Sequence, residues 1–92
     1  MALLSDAEVE DRLAAFPGWE LKGDAIEKSF KRDDFVSSVR FVDALVEPAE
    51  EMNHHPDLAI SWDTVTVTIS THSEGGLTTA DFELAQKIDA LA

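Results

Sequence analysis

The alternation of apolar and polar residues predicts a short helix and then a β-hairpin in the first third of the chain. Ser5 and Glu8 form a capping-box pattern at the start of the helix, and Pro17-Gly18 ends it. Gly23-Asp24 is a two-residue turn signal between two alternating segments, as in antiparallel strands. The apolar positions are Val9, Leu13 and Phe16 in the helix, then Trp19, Leu21, Ile26 and Phe30 in the strands.

A longer second helix is predicted after Asp33 or Asp34, either of which can cap it. Pro48 interrupts the pattern, so we expect a kink there or a restart with Pro48 in the first turn. His55 precedes Pro56 and is pushed out of the helical region, which ends the helix at the histidine pair. One apolar stripe at helical spacing defines this helix: Phe35, Val39, Val42, Val46 and Ala49.

The last third of the chain predicts two more strands and a closing helix. Asp63-Thr64 has the composition of a tight turn, and Gly75-Gly76 breaks the chain after the fourth strand. If that strand persists, His72 lies on its threonine-rich polar face. Thr78 or Thr79 can cap the last helix. The apolar strand positions are Leu58, Ile60 and Trp62, then Val65, Val67 and Ile69; those of the helix are Phe82, Leu84, Ala85, Ile88 and Leu91.

The predicted order is αββαββα, which indicates an α+β fold. Two hairpins separated by a helix, with a helix at each end, favour a four-stranded antiparallel sheet with three helices packed on one face. Residues 1–92 are too few to build two cores, so we expect a single domain. The threonine-rich face of the sheet would be open for a ligand or a partner.

Charge and cysteine content narrow the function classes. Nineteen acidic and seven basic residues give a formal net charge of −12, which disfavours nucleic-acid binding because such binding neutralises phosphates. The chain has no cysteine, which excludes disulfides, thiolate zinc sites and a cysteine nucleophile. The N-terminal segment is acidic where a signal peptide is basic, and no apolar run approaches the ~20 residues of a membrane span. We therefore expect a cytoplasmic protein without membrane contact, whose small core favours oligomerisation.

Three histidines, His54, His55 and His72, follow the ends of the second helix and the fourth strand, and we expect them to meet in one pocket. Histidine suits proton transfer because its ordinary pKa of about 6.5 lets it give or take a proton near neutrality. Glu50 precedes His54 by four residues, so its carboxylate could orient that imidazole and stabilise its cation. The alternative, which spacing alone favours, is a solvated Glu50 with a weak ion pair. The pattern predicts acid–base chemistry on a small molecule.

A zinc site is the competing interpretation, with Glu50, His54 and His72 as ligands. Adjacent histidines on a helix point about 100° apart, whereas zinc-binding pairs come four residues apart. No second acidic ligand is marked out, so we expect no metal.

Two further residues have a structural and a functional interpretation. Asp81 takes the third position of the last helix if Thr78 caps it, where a carboxylate is favoured without any function. Trp19 is expected in the core, with stacking on a flat ligand as the alternative.

The spacing of these residues resembles the signature of the pterin-4a-carbinolamine dehydratases. That signature has an acidic or similar residue, three spacers, His-His-Pro, an aromatic residue, and then a histidine and an aspartate at set distances. The segments EMNHHP, TISTHSEGGL and the turn after Gly18-Trp19 also resemble the family, so the resemblance covers essentially the whole chain. Pro48 departs from the family pattern, outside the signature. Every signature spacing is kept here, by Glu50, His54-His55-Pro56, Trp62, His72 and Asp81.

The resemblance implies a lyase that removes water from 4a-hydroxytetrahydropterin, the spent cofactor of aromatic amino-acid hydroxylases, and gives the quinonoid dihydropterin. It implies no metal or redox cofactor, since the pterin is the substrate. His54 and His55 would be the proton donors and acceptors, and His72 would bind and orient the pterin. We also expect a homodimer or homotetramer, with a hydroxylase as functional partner. The substrate-binding positions implied by the family are Trp19, Glu50, Pro56, Thr71, Ser73, Glu74 and Asp81.

Two other function classes stay open at this point. The family fold also serves as a binding partner for a transcription factor in animals, which suggests a non-catalytic dimerisation or regulatory module. The intact set of histidines weighs against that as the sole role, because a protein kept only for contact has no physical need of the imidazoles. A metal-dependent hydrolase is the third class.

Overall fold

Three helices pack on one face of a four-stranded antiparallel sheet in the computed structural model, which describes residues 2–92. A single turn of 3₁₀ helix, His72–Glu74, lies between the last strand and the last helix. This arrangement confirms the predicted αββαββα order and the α+β fold class. The elements are α1 (Asp6–Leu13), β1 (Glu20–Lys22), β2 (Ala25–Lys31), α2 (Phe35–Met52), β3 (Asp57–Ser61), β4 (Thr64–Ile69) and α3 (Thr79–Leu91).

The strand order is β1-β2-β4-β3, so the two hairpins pair through their inner strands β2 and β4. Lys22 pairs with Ala25, which confirms the predicted turn between β1 and β2. Ser61 pairs with Thr64, so the β3–β4 turn is formed by Trp62 and Asp63, one residue earlier than predicted. Trp62 takes a left-handed conformation, with a φ of 52°.

The core lies between the sheet and the helices. Alternate residues of β4 point into it, so Val65, Val67 and Ile69 are fully buried while the threonines between them are half-exposed on the opposite face. The rings of Phe30 and Phe41, 5.0 Å apart, join β2 to α2. The helix caps follow the sequence: Ser5, Asp34 and Thr78 each accept a backbone N–H bond at the start of α1, α2 and α3.

The apolar stripe that predicts α2 is mostly not the face that α2 buries. Phe35 and Val46 are 55% and 56% exposed, and of that stripe only Ala49 is buried. The helix carries apolar residues on two neighbouring faces, and the face with Phe41 and Leu45 is the one that packs in the core. Periodicity locates a helix but does not choose between two apolar faces. α2 also runs through the buried Pro48 as one helix rather than restarting there.

Candidate active site

One end of the sheet brings together the chain segments that carry the three histidines. Asp57, the first residue of β3, pairs with Thr68 near the end of β4, so the residues before β3 and after β4 share that end. α2 stops at Asn53, whose left-handed conformation (φ 48°) turns the chain out of the helix. His54 N–H then donates to the carbonyl of Ala49 at 3.0 Å, which closes the helix end and fixes where the histidine pair begins.

His54 is held by the buried carboxylate of Asp81. Nε2 of His54 lies 2.7 Å from Oδ1 of Asp81, and the imidazole is only 14% exposed. Oδ2 accepts bonds of 2.8 Å from the hydroxyl of Thr71 and from the backbone N–H of Thr78. An ionised carboxylate only accepts hydrogen bonds, so Nε2 of His54 is the donor to Asp81. In the neutral imidazole Nδ1 is then the nitrogen with the lone pair. Asp81 completes the predicted capping box of α3 and also orients a histidine.

His55, rather than His54, is the partner of Glu50. Nε2 of His55 lies 2.5 Å from Oε2 of Glu50, and both side chains are more than half exposed. Glu50 therefore does not orient His54, and the alternative that spacing favours, a solvated Glu50 in an exposed ion pair, is closer to the structure, with His55 as the partner. The four-residue spacing holds only inside a helix, and the left-handed Asn53 ends the helix before His54.

His72 lies beyond the strand that was predicted to present it. β4 ends at Ile69, and His72 opens the 3₁₀ turn on the surface. Its Nδ1 lies 3.4 Å from Oγ of Ser70, a long contact. Nε2 of His72 has no hydrogen-bond partner among residues 2–92. His72 follows Thr71, which bonds Asp81, directly in the chain. No hydrogen bond joins His72 itself to Asp81 among the described residues.

The adjacent residues His54 and His55 line two different cavities. His54 lines one of about 310 Å³, at the lower end of the range for small-molecule sites. His55 and Pro56 line a smaller, mostly apolar one of about 190 Å³ with Glu50, and His72 lines neither. The expectation of one pocket shared by three histidines is therefore not met within this chain, although all three lie at one end of the sheet. The residues that line the cavity of about 310 Å³ are Met52, Asn53, His54, Thr71, Ser73, Glu74, Ala80 and Glu83.

Thr71, Ser73 and Glu74, which the resemblance to the family implies as pocket positions, line this cavity, and their contact with a substrate stays a prediction. Four other lining residues, Met52, Asn53, Ala80 and Glu83, were not predicted. Asn53 had a usable signal, because asparagine is a common left-handed residue at helix ends. Glu83 had no such signal in the sequence, because it reaches the cavity only through the way in which α3 is oriented against the sheet.

Trp19 lies in the core rather than at the histidines. Its indole Nε1 donates to Oδ2 of Asp89 at 3.0 Å, and Nζ of Lys28 donates to Oδ1 at 2.9 Å. Asp89 is two turns along α3 from Asp81, a rise of about 12 Å. The structure therefore does not bring Trp19 to Asp81 and His54. This supports the core interpretation of Trp19, which does not line the cavity of His54, and its contact with a substrate stays a prediction.

Other parts of the molecule offer less chemistry. A cavity of about 640 Å³ between α1 and α3 is lined by Phe16 and Phe82 among others, and no histidine lines it. Among the described residues, no group of three or more metal-binding side chains is placed to hold an ion. No helix within residues 2–92 is long and apolar enough to cross a membrane.

Comparison with known proteins gives a consistent family. A family model described as pterin 4 alpha carbinolamine dehydratase matches residues 2–91. A protein of Thermosynechococcus vestitus, provisionally named pterin-4-alpha-carbinolamine dehydratase, is 51% identical over 89 residues, which are 97% of this chain and 94% of that protein. The crystal structure of a transcriptional coactivator/pterin dehydratase from Brucella melitensis matches with a TM-score of 0.93 and 36% identity over 99% of both chains. A pterin dehydratase-like protein, identified as a RuBisCO assembly factor in the alpha-carboxysome, matches with a TM-score of 0.65 and 27% identity over 80% of this chain and 86% of that one.

Proposed function

Because this chain belongs to the pterin 4 alpha carbinolamine dehydratase family, we propose that it dehydrates 4a-hydroxytetrahydropterin to the quinonoid dihydropterin and water, and so recycles the cofactor of aromatic amino-acid hydroxylases. The observation that carries the proposal is the bond between His54 and the buried Asp81 at the edge of a cavity large enough for a bicyclic ring.

The reaction requires two proton transfers and no redox change. The C4a–O bond breaks while the N5–H bond is lost, and the N5 electron pair forms the new N5=C4a bond. The hydroxyl leaves as water only after it accepts a proton. A base at N5 and an acid at the hydroxyl, each worth about 10²–10⁴-fold, therefore cover the chemistry.

His54 is assigned as the base. Its Nδ1 has the free lone pair, and Asp81 is placed to stabilise the imidazolium that forms when Nδ1 takes the proton from N5. We assign the proton donor to His55, the other imidazole of the pair, whose exposed side chain bonds the carboxylate of Glu50 through Nε2. His72, on the surface beside Thr71, binds and orients the pterin.

The activity test follows the absorbance of the pterin while a 4a-carbinolamine, generated in place, dehydrates with and without the protein. We expect His54→Ala to lose at least about 10²-fold in kcat, and His55→Ala a smaller amount within the same range. Glu10→Ala, at an exposed position of α1, serves as the matched surface control. Equal rates for wild type and both histidine variants would contradict the assignment.

We further propose that the protein is a homodimer or homotetramer of the cytoplasm. Exposed apolar side chains of α2 and of the edge strand β3 support self-association: Phe35, Val39, Val46, Leu58 and Ile60. Sedimentation should give a dimer or tetramer mass that falls in Val46→Lys but not when lysine replaces the exposed Glu10. A monomeric wild type would contradict this part of the proposal.

A binding role is the second candidate, and the names of the two structural neighbours favour it. One is named a transcriptional coactivator as well as a pterin dehydratase, and the other is a RuBisCO assembly factor. The same exposed apolar surface of α2 and β3 could serve a different protein. Partner capture without any pterin binding or turnover would favour this role over the enzyme.

A further inference from the structure

Thr78 is a fully buried residue at the start of α3 whose hydroxyl belongs to a hydrogen-bond chain that reaches His54. Its Oγ1 lies 2.9 Å from Oγ1 of Thr71, and Thr71 in turn donates to Oδ2 of Asp81 at 2.8 Å. The other oxygen of Asp81 holds Nε2 of His54 at 2.7 Å. Four side chains, from the helix cap to the cavity, are thereby joined.

The direction of this chain follows from counting protons. A threonine hydroxyl has one proton, and that of Thr71 is used on the carboxylate of Asp81. The bond between the two threonines must therefore be donated by Thr78. Thr78 Oγ1 accepts in its turn from the backbone N–H of Ala80 at 3.3 Å. These three donors, the Ala80 N–H and the hydroxyls of Thr78 and Thr71, point toward Asp81, and hydrogen bonds aligned in this way strengthen one another.

We propose that Thr78 is a positioning residue for the reaction. Through Thr71 it fixes the Asp81 carboxylate, and the fixed carboxylate keeps the proton of His54 on Nε2 and leaves Nδ1 as the base. The proposal rests on the proposed function for its effect on rate, but the orientation of His54 is a property of the protein without substrate.

A comparison within the chain separates this role from ordinary helix capping. The capping box of α1 consists of Ser5 and Glu8, which bond only each other's backbone. The capping box of α3 makes the same reciprocal bonds between Thr78 and Asp81. Each of its two side chains also makes a hydrogen bond outside the box, Thr78 with Thr71 and Asp81 with His54. Capping does not require those two outward bonds.

The test uses three substitutions and one matched control in the full chain. Thr78→Val keeps the branched shape and removes the hydroxyl, and Thr78→Ser restores it. Thr71→Val removes the donor to Asp81 and leaves the cap of α3 intact, so it decides the question if Thr78→Val does not fold. Thr79→Val is the control, since Thr79 is the exposed neighbour and does not line the His54 cavity.

Two readouts are taken together. Nitrogen-15 NMR above the ordinary histidine pKa of about 6.5 reports which imidazole nitrogen of His54 carries the proton. Wild type, Thr78→Ser and Thr79→Val should show only the Nε2–H form, and both valine variants at 78 and 71 a mixture with the Nδ1–H form. The kcat of dehydration should fall about tenfold in Thr78→Val and Thr71→Val, which is the lower end of the loss seen when a hydrogen-bonded support of a metal-binding imidazole is removed. KM should stay unchanged in Thr78→Val, because Thr78 does not line the cavity.

The outcomes are distinct. The proposal is overturned if Thr78→Val and Thr71→Val both show a single Nε2–H form and a kcat within about twofold of wild type. This holds even if the thermal stability of the two variants falls. If the wild type does not dehydrate the pterin, the proposed function fails, and the NMR result alone decides whether Thr78 positions His54.

Discussion

Replacing Asp81 by asparagine should reverse the proton position on His54 and abolish most of the activity. Two donors, the Thr71 hydroxyl and the Thr78 N–H, occupy the side of Oδ2. An amide can satisfy them only with its carbonyl oxygen, so its NH₂ group must face Nε2 of His54. Nε2 would then have to accept, which moves the imidazole proton to Nδ1 and removes the lone pair that the assigned base uses.

The size of the effect can be set from the same contacts. A correctly placed base contributes about 10²–10⁴-fold, and the comparable aspartate-to-asparagine change in catalytic triads costs about 10⁴-fold through the wrong tautomer. We therefore expect kcat of Asp81→Asn to fall by about 10³-fold. Stability should fall too, by about 1.5–3 kcal/mol, because hydrogen bonds to a buried charged acceptor become bonds to a neutral one.

The assay is carbinolamine dehydration at neutral pH, with urea unfolding of the same samples. Asp89→Asn is the matched control on α3, since Asp89 bonds Trp19 and Lys28 away from the histidines. It should lose stability and keep kcat within about twofold. The reasoning is refuted if Asp81→Asn keeps wild-type kcat, or if the two variants lose activity equally.

Two more expectations concern stability. Phe41→Ala should cost about 3–5 kcal/mol because it empties the contact with the sheet. Phe35→Ala, at a position exposed in the single chain, should cost less than about 0.5 kcal/mol at protein concentrations low enough for the chain to be monomeric. Urea unfolding of both variants under those conditions checks which face of α2 is buried, and equal costs would contradict it. The pKa of Asp63 is held below its ordinary value of 3.8, mainly because its side chain accepts a hydrogen bond from Lys31. A lowered pKa in the folded state gives stability that is present above the ordinary value and is lost as pH falls through the folded value. The difference in unfolding free energy between wild type and Asp63→Asn should therefore be constant near neutrality and shrink below about pH 3.8; a difference that stays constant into acid would show that the Lys31 bond does not set it.

The fold could be predicted from local patterns because most of its signals are local. The starts of the three helices can be predicted from their capping residues, which are Ser5, Asp34 and Thr78. The strict alternation of apolar and polar residues in β4 predicts which of its side chains are buried. The buried face of α2 could not be predicted, since Phe35 and Phe41 are equally apolar and only the position of the sheet distinguishes them.

The candidate site was less accessible to sequence reasoning for a related physical cause. Glu50 and His54 have helical spacing, yet a single left-handed residue between them, Asn53, transfers the carboxylate to His55. Asp81 pairs with His54 across 27 positions of sequence, and no periodicity reports such a contact. The resemblance to a family supplied Asp81 as a site position, whereas its bond to His54 required the structure.

The central claim is that His54, held by Asp81, acts through Nδ1 on the pterin, and a structure with a bound pterin analogue tests it most directly. The account expects the ring in the cavity of about 310 Å³, with its N5 within about 3 Å of Nδ1 of His54. A ring bound elsewhere, such as in the larger cavity between α1 and α3, or in contact with His54 only through Nε2, would contradict the account.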